Sequence, residues 1–364
     1  MKGEEMGEVV RSRGRYEVLD ALRGLCAAVV VSLHYCEAYR RPDLLPHSHL
    51  AVEYFLTLTG FTFVVAYDAR WATGALTLGR FLWRRFVRLW PVIFVGSVIG
   101  LLYCFPLTTN FLGAKKSPLE LFGLFLYSLT LLPHMEPYGF MMPMQPQTWT
   151  LLYILYANVL YALVLRHLRT WMLALALVAA AGYSCWIVHV HHGFEAGWRI
   201  GSPHVAIACA RTLFPVLTGM LLARLRWKLS FPGAGLVAAL LLGFVVCSPT
   251  FGLNRPAAGW LEFALVAVCL PVVLLCGCGG AIPEGRFAAF CRFLGKFSFP
   301  LYATHWPFRF SLGKWVAAHP DATFAQNATT IAAYVIGALA LAYLAMLASD
   351  ALVRLLSGKG KRWT

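Results

Sequence analysis

The sequence is poor in charged residues. Only 13% of its 364 residues are Asp, Glu, Lys or Arg, about half the share of an ordinary soluble domain, whereas 59% are hydrophobic. The mean hydropathy of the chain is +0.66. This composition excludes a soluble catalytic domain and predicts an all-α protein, a polytopic membrane bundle.

Polar stretches long enough to form a separate domain are also missing. Residues 1–18 are expected to be a cytoplasmic tail without the apolar stretch of a signal peptide, residues 19–352 the membrane domain, and residues 353–364 a basic cytoplasmic tail. Within the membrane domain, apolar runs of about 20 residues can each cross a bilayer. About ten transmembrane helices are predicted, at 20–39, 50–67, 87–107, 148–165, 171–190, 205–223, 229–249, 258–280, 293–312 and 327–351.

Acidic residues are half as frequent as basic ones, 16 against 31, so that the net charge is +15. If residues 119–133 form a re-entrant or interfacial segment, 22 of the 31 basic residues share one side of the membrane. The positive-inside rule makes that side cytoplasmic and places both termini there. A crossing at 119–133 would put three later basic loops outside. The charge is therefore explained by topology, and no nucleic-acid partner is expected.

Paired cysteines with metal-ligand spacing are missing as well. The ten cysteines include no CxxC pair, the usual mark of a zinc site. Cys276 and Cys278 form the only close pair, which is expected to pack in a helix end. His189, His191 and His192 are expected to form an interfacial loop. No metal site is predicted.

Arg23, which is cationic, and His34, which is titratable, both lie within the first span. Arg23 and His34 are eleven positions apart, three helical turns, so both side chains share one helix face about 16 Å apart. An ionisable residue at this depth is costly unless it faces a partner or a cavity, which makes it a functional candidate. The alternative is that Arg23 is a topology-setting flank and His34 a hydrogen-bonded core histidine.

A second basic group lies in RFLWRRFVRLWP, residues 80–91. Arg84, Arg85 and Arg88 lie within about one helical turn, so their guanidinium groups can converge. Planar guanidinium groups suit phosphate recognition. A basic loop that only sets topology would look similar.

Several ionisable residues are predicted at a similar depth near the outer side. His34 and His305 lie in spans that rise outward, and Glu53, Arg211 and Glu262 lie early in spans that run inward. Together they indicate a shared polar cavity. Each alone could instead be a snorkelling interfacial residue.

At these residues the sequence resembles the acyltransferase-3 family, the integral-membrane O-acyltransferases of bacterial envelope and exopolysaccharide modification. Six segments match in family order and span nearly the whole membrane domain. They are LDALRG followed by His34, VEYFLTLTGF at 52–61, FLWRRFVRLWP at 81–91, QTWTLLY at 147–153, RTLFPVLTGMLLAR at 211–224 and LGKFSFPLYATHWP at 294–307.

The resemblance implies an acyl-CoA donor on the cytoplasmic side and an acceptor hydroxyl reached from the membrane or outer side. It implies that His34 is the catalytic histidine and Arg23 its partner in an Arg-x10-His motif. Arg84, Arg85 and Arg88 match the donor-associated loop. A histidine with a pKa near 6.5 suits the reaction, because it can accept the proton of an attacking alcohol.

The sequence departs from the family at one position. Many relatives carry a Glu after the WTL signature that holds Trp149, whereas this chain has Ile154 there. Trp149 is expected on the cavity or acceptor side. Asn158, Glu53 or Glu262 are the candidates to replace the carboxylate, and the sequence does not select among them.

The sequence thus predicts a membrane O-acyltransferase that moves an acyl group, expected to be acetyl, from acyl-CoA to a hydroxyl of a carbohydrate, exopolysaccharide or glycolipid. His34 is the predicted general base. Acyl-CoA is a co-substrate, and no permanently bound cofactor is expected. The resemblance implies a multi-pass protein of the bacterial cytoplasmic membrane. The alternatives are a transporter or flippase, or a non-catalytic sugar-binding membrane protein.

Overall fold

The computed structural model describes residues 16–111, 113–135 and 139–357, so most of the predicted tail at 1–18 and residues 358–364 of the second tail lie outside the described residues. Helices dominate these ranges, which contain no β-strand. The twelve helices are α1 (Glu17–Ala38), α2 (Ser48–Ala72), α3 (Leu78–Cys104), α4 (Pro118–Leu129), α5 (Trp149–Leu163), α6 (Thr170–His191), α7 (His204–Leu225), α8 (Ala234–Cys247), α9 (Arg255–Gly279), α10 (Arg286–Thr304), α11 (Trp306–Ala318) and α12 (Phe324–Ser357).

Seven of these helices, α1, α2, α3, α6, α7, α9 and α12, are long and apolar enough to cross a membrane. The other three predicted spans are helical but different in form. Residues 148–165 contain the 15-residue α5, residues 229–249 the 14-residue α8, and residues 293–312 parts of α10 and α11. The all-α membrane bundle is confirmed, and the count of ten spans is approximate.

The doubtful segment at 119–133 corresponds to α4. This helix has 12 residues, about 18 Å of helix, against about 30 Å for the hydrocarbon core. Ser117 and Glu120 begin it with a capping box, in which each side chain accepts a hydrogen bond from the backbone of the other. Its length fits a re-entrant or interfacial segment.

Helices α1 and α10 pack side by side and run in the same direction. Glu17 at the start of α1 pairs with Arg292 of α10 at 3.3 Å, and His34 near the end of α1 stacks on His305 just after α10. The parallel arrangement agrees with the relative directions that the predicted topology assigns to these two spans.

Helices α2 and α7 form a second parallel pair. Glu53 pairs with Arg211 near the start of both helices, and Asp68 pairs with Arg224 at 3.1 Å near their ends. Each pair neutralises two buried or half-buried charges, which a low-dielectric interior requires.

Glycines let the backbones of α2 and α7 approach closely. A Cβ at Gly60 would overlap the backbone of Val216, and one at Gly219 would overlap the carbonyl of Thr57. In a membrane, helix association depends on such small-residue contacts, because lipid removes the hydrophobic drive between helices.

Helix α10 ends at Thr304, and α11 starts at Trp306. Pro307 has no N–H to donate to the Ala303 carbonyl four residues earlier. The side-chain Nε2 of Gln147 donates to that carbonyl instead, at 2.7 Å. The break leaves His305 between the two helices, fully buried.

The close approach of α2 and α7 predicts that Gly219→Val destabilises the bundle. Overpacking of a core costs about 1–3 kcal/mol, and we expect at least the upper part of that range because the overlapped atoms are backbone. The measurement is the thermal unfolding midpoint in detergent. Gly182→Val on α6 is the matched control, since an added Cβ there meets no atom within 4 Å. An equal shift for both variants would contradict the prediction.

Candidate active site

A cavity of about 1090 Å³ opens between α1, α2, α3, α5, α10 and α12. Helix α2 lines it from Val52 to Arg70, a length of about 27 Å at 1.5 Å per residue. The hydrocarbon core of a bilayer is about 30 Å thick. The cavity therefore extends through most of the membrane-embedded depth of the protein.

Basic side chains dominate the charged lining of this cavity. Among the residues that the structure describes, its wall holds a single carboxylate, Asp350, which pairs with Lys296. The structure brings Arg23 together with the three arginines of the predicted donor loop and adds two basic residues that the sequence analysis did not single out. The six basic residues are Arg23, Arg70, Arg84, Arg85, Arg88 and Lys296.

Arg85 is the most deeply placed residue of the arginine loop. Only 6% of it is exposed, and its guanidinium carbon lies 5.8 Å from the centre of the Phe63 ring. Tyr67 lies beside it, on a π-helical turn of α2 at Val64–Asp68. Single π-turns are frequent at functional sites. In the part of the chain that the structure describes, the buried Nε of Arg85 has no hydrogen-bond partner.

Arg23 joins α1 to α10 at the cavity wall. Its guanidinium donates to the Gly295 carbonyl at 2.8 Å and to the Asp20 carboxylate at 3.0 Å. These contacts hold a cationic group at the basic part of the cavity.

The lining also includes apolar and hydroxyl side chains from α2, α5 and α10, among them Phe55, Thr150, Ile154 and Tyr302. The Tyr302 hydroxyl bonds to the Thr150 hydroxyl at 2.7 Å and donates to the Gln147 carbonyl. Ile154, at the position where many relatives carry Glu, gives the wall an apolar surface.

Asn158 does not replace the missing carboxylate in the cavity. It is buried one turn further along α5, donates to the Ile154 carbonyl at 2.6 Å and is not part of the cavity lining. Its place on the acceptor side stays a prediction.

The two predicted histidines meet just beyond Tyr302. The rings of His34 and His305 are stacked, with centroids 5.2 Å apart and planes at 17°, and the Trp306 ring contacts His34 edge-on at 5.0 Å. The Tyr302 ring lies 6.2 Å from His305. Neither histidine lines the cavity itself, so Tyr302 separates the cavity from the histidine pair.

Glu37 is a site residue that the sequence analysis missed. Its Oε2 lies 2.9 Å from Nδ1 of His34 and 3.7 Å from a terminal nitrogen of Arg309. A carboxylate only accepts hydrogen bonds, so Nδ1 carries the proton and Nε2 of the neutral ring is free to accept one. The sequence signal that could have identified Glu37 is its spacing of three residues from His34, because this spacing places both side chains on one helix face.

Glu53 and Arg211 belong to a different cluster. Arg211 pairs with Glu53, donates to the Ala196 carbonyl at 2.9 Å and lies over the Trp149 ring at 5.1 Å. All three side chains are buried, and none is part of the cavity lining. Trp149 therefore packs against the ion pair.

Glu262 extends this second cluster. It accepts the backbone N–H of Phe194 at 2.9 Å and lies 3.3 Å from Nε2 of His49. The structure therefore does not bring the five ionisable residues together: the two histidines form one cluster, and the other three form a second that ties the loop after α6 to α2, α7 and α9. Among the residues with described positions, no three His, Cys, Asp or Glu side chains could hold a metal ion.

Comparison with known proteins identifies the chain's relatives. A family model described as an acyltransferase domain, that of the acyltransferase-3 family, matches residues 16–347. "Protein 2 in picA locus" of Rhizobium radiobacter is 37% identical over 78 residues, which is 21% of this chain and 40% of that protein. The chain thus spans less than half the length of this relative. No solved structure matches.

The burial of the Glu53–Arg211 pair predicts that Arg211→Met is strongly destabilising. Removing one partner of a buried pair leaves the other charge uncompensated, at about 3–5 kcal/mol. The double variant Glu53→Leu with Arg211→Met should recover much of the loss in thermal stability. Arg41→Met is the control, because the Arg41–Asp43 pair is more than half exposed. A double variant less stable than Arg211→Met would contradict this prediction.

Proposed function

This chain belongs to the acyltransferase-3 family, and from that premise we propose that it moves an acyl group, expected to be acetyl, from acyl-CoA to a hydroxyl of a carbohydrate, exopolysaccharide or glycolipid. That it is a membrane acyltransferase follows from the family and from its seven long apolar helices. One observation carries the finer proposal: a long cavity has a strongly basic wall and reaches Tyr302, directly in front of the His34–His305 pair.

Coenzyme A is a suitable ligand for this cavity because its phosphates carry several negative charges. Arg84, Arg85 and Arg88 can bind phosphate oxygens through their forked N–H groups. Since the cavity wall holds six basic residues and one carboxylate, its charge favours an anion. The charge distribution predicts that this basic group faces the cytoplasm, the side from which the resemblance implies that acyl-CoA enters.

The length of the cavity suits the extended pantetheine arm. From Tyr67, which lies beside Arg85, the arm would follow α2 for about 18 Å to Phe55. Phe55 contacts Tyr302, so this path would bring the thioester to Tyr302. Ile154 and Phe55 line this path, so the acyl group would meet apolar and hydroxyl side chains there.

His34 is the proposed general base. Its Nε2 would take the proton of the acceptor hydroxyl as the oxygen attacks the thioester carbonyl, and would then return that proton to the departing thiolate of coenzyme A. Glu37 fixes the ring and stabilises its protonated form, as a carboxylate does for the histidine of a catalytic triad. General base catalysis typically contributes 10² to 10⁴-fold.

The acceptor would approach from the face opposite the cavity. The side chains of His34 and Glu37 are 16% and 32% exposed, although neither residue lines the cavity. Donor and acceptor could thus reach the base from separate sides. If both termini are cytoplasmic, as the charge distribution predicts, the acceptor side would be the outer face of a bacterial cytoplasmic membrane.

The base assignment predicts that His34→Ala lowers the rate of acyl transfer from labelled acyl-CoA by 10² to 10⁴-fold and leaves acyl-CoA binding intact. Glu37→Gln should lower the rate less, because the base remains but loses its charged partner. The assay measures release of the coenzyme A thiol over a panel of carbohydrate acceptors. His319→Ala is the control, because His319 is an exposed histidine directly after α11.

A His34→Ala protein as active as the wild type would remove the base assignment. Movement of an acceptor across vesicles without thiol release would support a transporter, and acceptor binding without thiol release would support a non-catalytic sugar-binding protein.

The donor assignment predicts that Arg84→Gln combined with Arg88→Gln raises KM for acyl-CoA with little change in KM for the acceptor. A hydrogen bond to a charged group contributes about 1.5–3 kcal/mol, so each lost contact should raise KM by about tenfold or more. Lys228→Gln, at an exposed basic residue between α7 and α8, should behave as the wild type. An unchanged KM for acyl-CoA in the double variant would overturn the assignment.

A further inference from the structure

Three buried polar atoms beside His34 have no hydrogen-bond partner among the residues that the structure describes. They are Nε2 of His305, Nε1 of Trp306 and Nε of Arg309. Only 8% of Trp306 is exposed, and His305 is fully buried. More than about 90% of buried polar groups in proteins are paired. Three such atoms lie close to one proposed base, where a bound ligand can supply their partners.

The first turn of α11 brings these groups to His34. Trp306 and Arg309 are three residues apart, on one helix face, and the Arg309 guanidinium carbon lies 5.3 Å from the centre of the Trp306 ring. The Trp306 ring contacts His34 at 5.0 Å. Arg309 also lies 3.7 Å from Glu37, so the base, its carboxylate and these two donors form one compact group.

The chemistry of the three atoms differs. Nδ1 of His305 lies 2.9 Å from the Tyr302 carbonyl. Because a carbonyl only accepts hydrogen bonds, Nδ1 carries the proton of the neutral ring, and Nε2 is an acceptor. The indole N–H of Trp306 can only donate, and the Arg309 guanidinium donates and carries a permanent positive charge. Trp306 and Arg309 therefore suit a negatively charged oxygen, and His305 does not.

Acyl transfer creates such an oxygen. When the acceptor oxygen bonds to the thioester carbon, the proton of the acceptor hydroxyl passes to His34. The π electrons of the thioester carbonyl then move onto the carbonyl oxygen, which becomes negatively charged. When the carbon–sulfur bond breaks, the carbonyl re-forms and the thiolate takes the proton from His34. Preorganised donors aimed at the transient oxyanion are usually a large part of catalysis.

We propose that the Trp306 indole N–H, with the Arg309 guanidinium behind it, stabilises the oxyanion of the tetrahedral intermediate. Trp306 would be a catalytic residue, because its N–H touches the reacting oxygen. The proposal rests on the proposed function, since it requires acyl transfer with His34 as the base.

Trp306→Phe tests the proposal, because it removes the N–H and keeps an aromatic ring beside His34. The loss of one oxyanion donor typically lowers kcat by about 10² to 10³-fold, and we expect a fall of about 10²-fold. KM for acyl-CoA and for the acceptor should change little, and the pH midpoint of kcat should stay the same because the His34–Glu37 contact is intact.

Trp71→Phe is the matched control. Its indole nitrogen is also buried without a partner among the described residues, but its ring packs against Arg166 at 3.8 Å and against Phe81, not against His34. It should keep the wild-type kcat.

If Trp306→Phe loses thermal stability or acyl-CoA binding, Arg309→Lys is the second variant, which keeps the charge but not the planar fork. It should lower kcat with an unchanged pH midpoint.

Two results would overturn the proposal. One is a wild-type kcat in Trp306→Phe, and the other is a rise in acceptor KM alone, which would make Trp306 an acceptor-binding residue. For Arg309→Lys, a shifted pH midpoint would show that Arg309 acts only by positioning Glu37. Failure of the proposed function is distinguishable, because wild type and His34→Ala would then release thiol at the same rate.

Discussion

The parallel contact between α1 and α10 is the constraint on which the rest of the site depends. Arg23 donates to the Gly295 carbonyl at one level, and His34 stacks on His305 at another, about three turns along both helices. Gly295 permits the contact, because a side chain there would collide with Asp20. One helix pair therefore sets both the distance and the relative orientation of the donor-side arginine and the proposed base.

The cost of burying charge separates supporting residues from candidate reacting ones. Glu53 and Arg211 satisfy each other inside the protein, and their hydrogen bonds tie α2 and α7 to a loop. Arg85 is equally buried, but it faces a cavity and has an Nε without a partner among the described residues. An internal pair contributes to a fixed fold, whereas a buried cation that faces a cavity favours an anionic ligand.

Local spacing was enough to predict the helices and the arginine group, because Arg84, Arg85 and Arg88 lie within about one turn. The same reasoning could have identified Glu37, three residues after His34. The division of the ionisable residues into two clusters could not be predicted, because it depends on the register between helices far apart in sequence. The placement of Tyr302 between the cavity and the histidines depends likewise on a hydrogen bond to Thr150, about 150 positions away.

The most direct test is a structure of the protein bound to a thioether analogue of acetyl-CoA, which cannot transfer its acyl group. The account predicts that the coenzyme A phosphates contact Arg84, Arg85 and Arg88, and that the thioether sulfur lies at Tyr302, within one side-chain length of His34. Phosphates bound elsewhere on the protein, or a sulfur that stops at the basic part of the cavity, would contradict it.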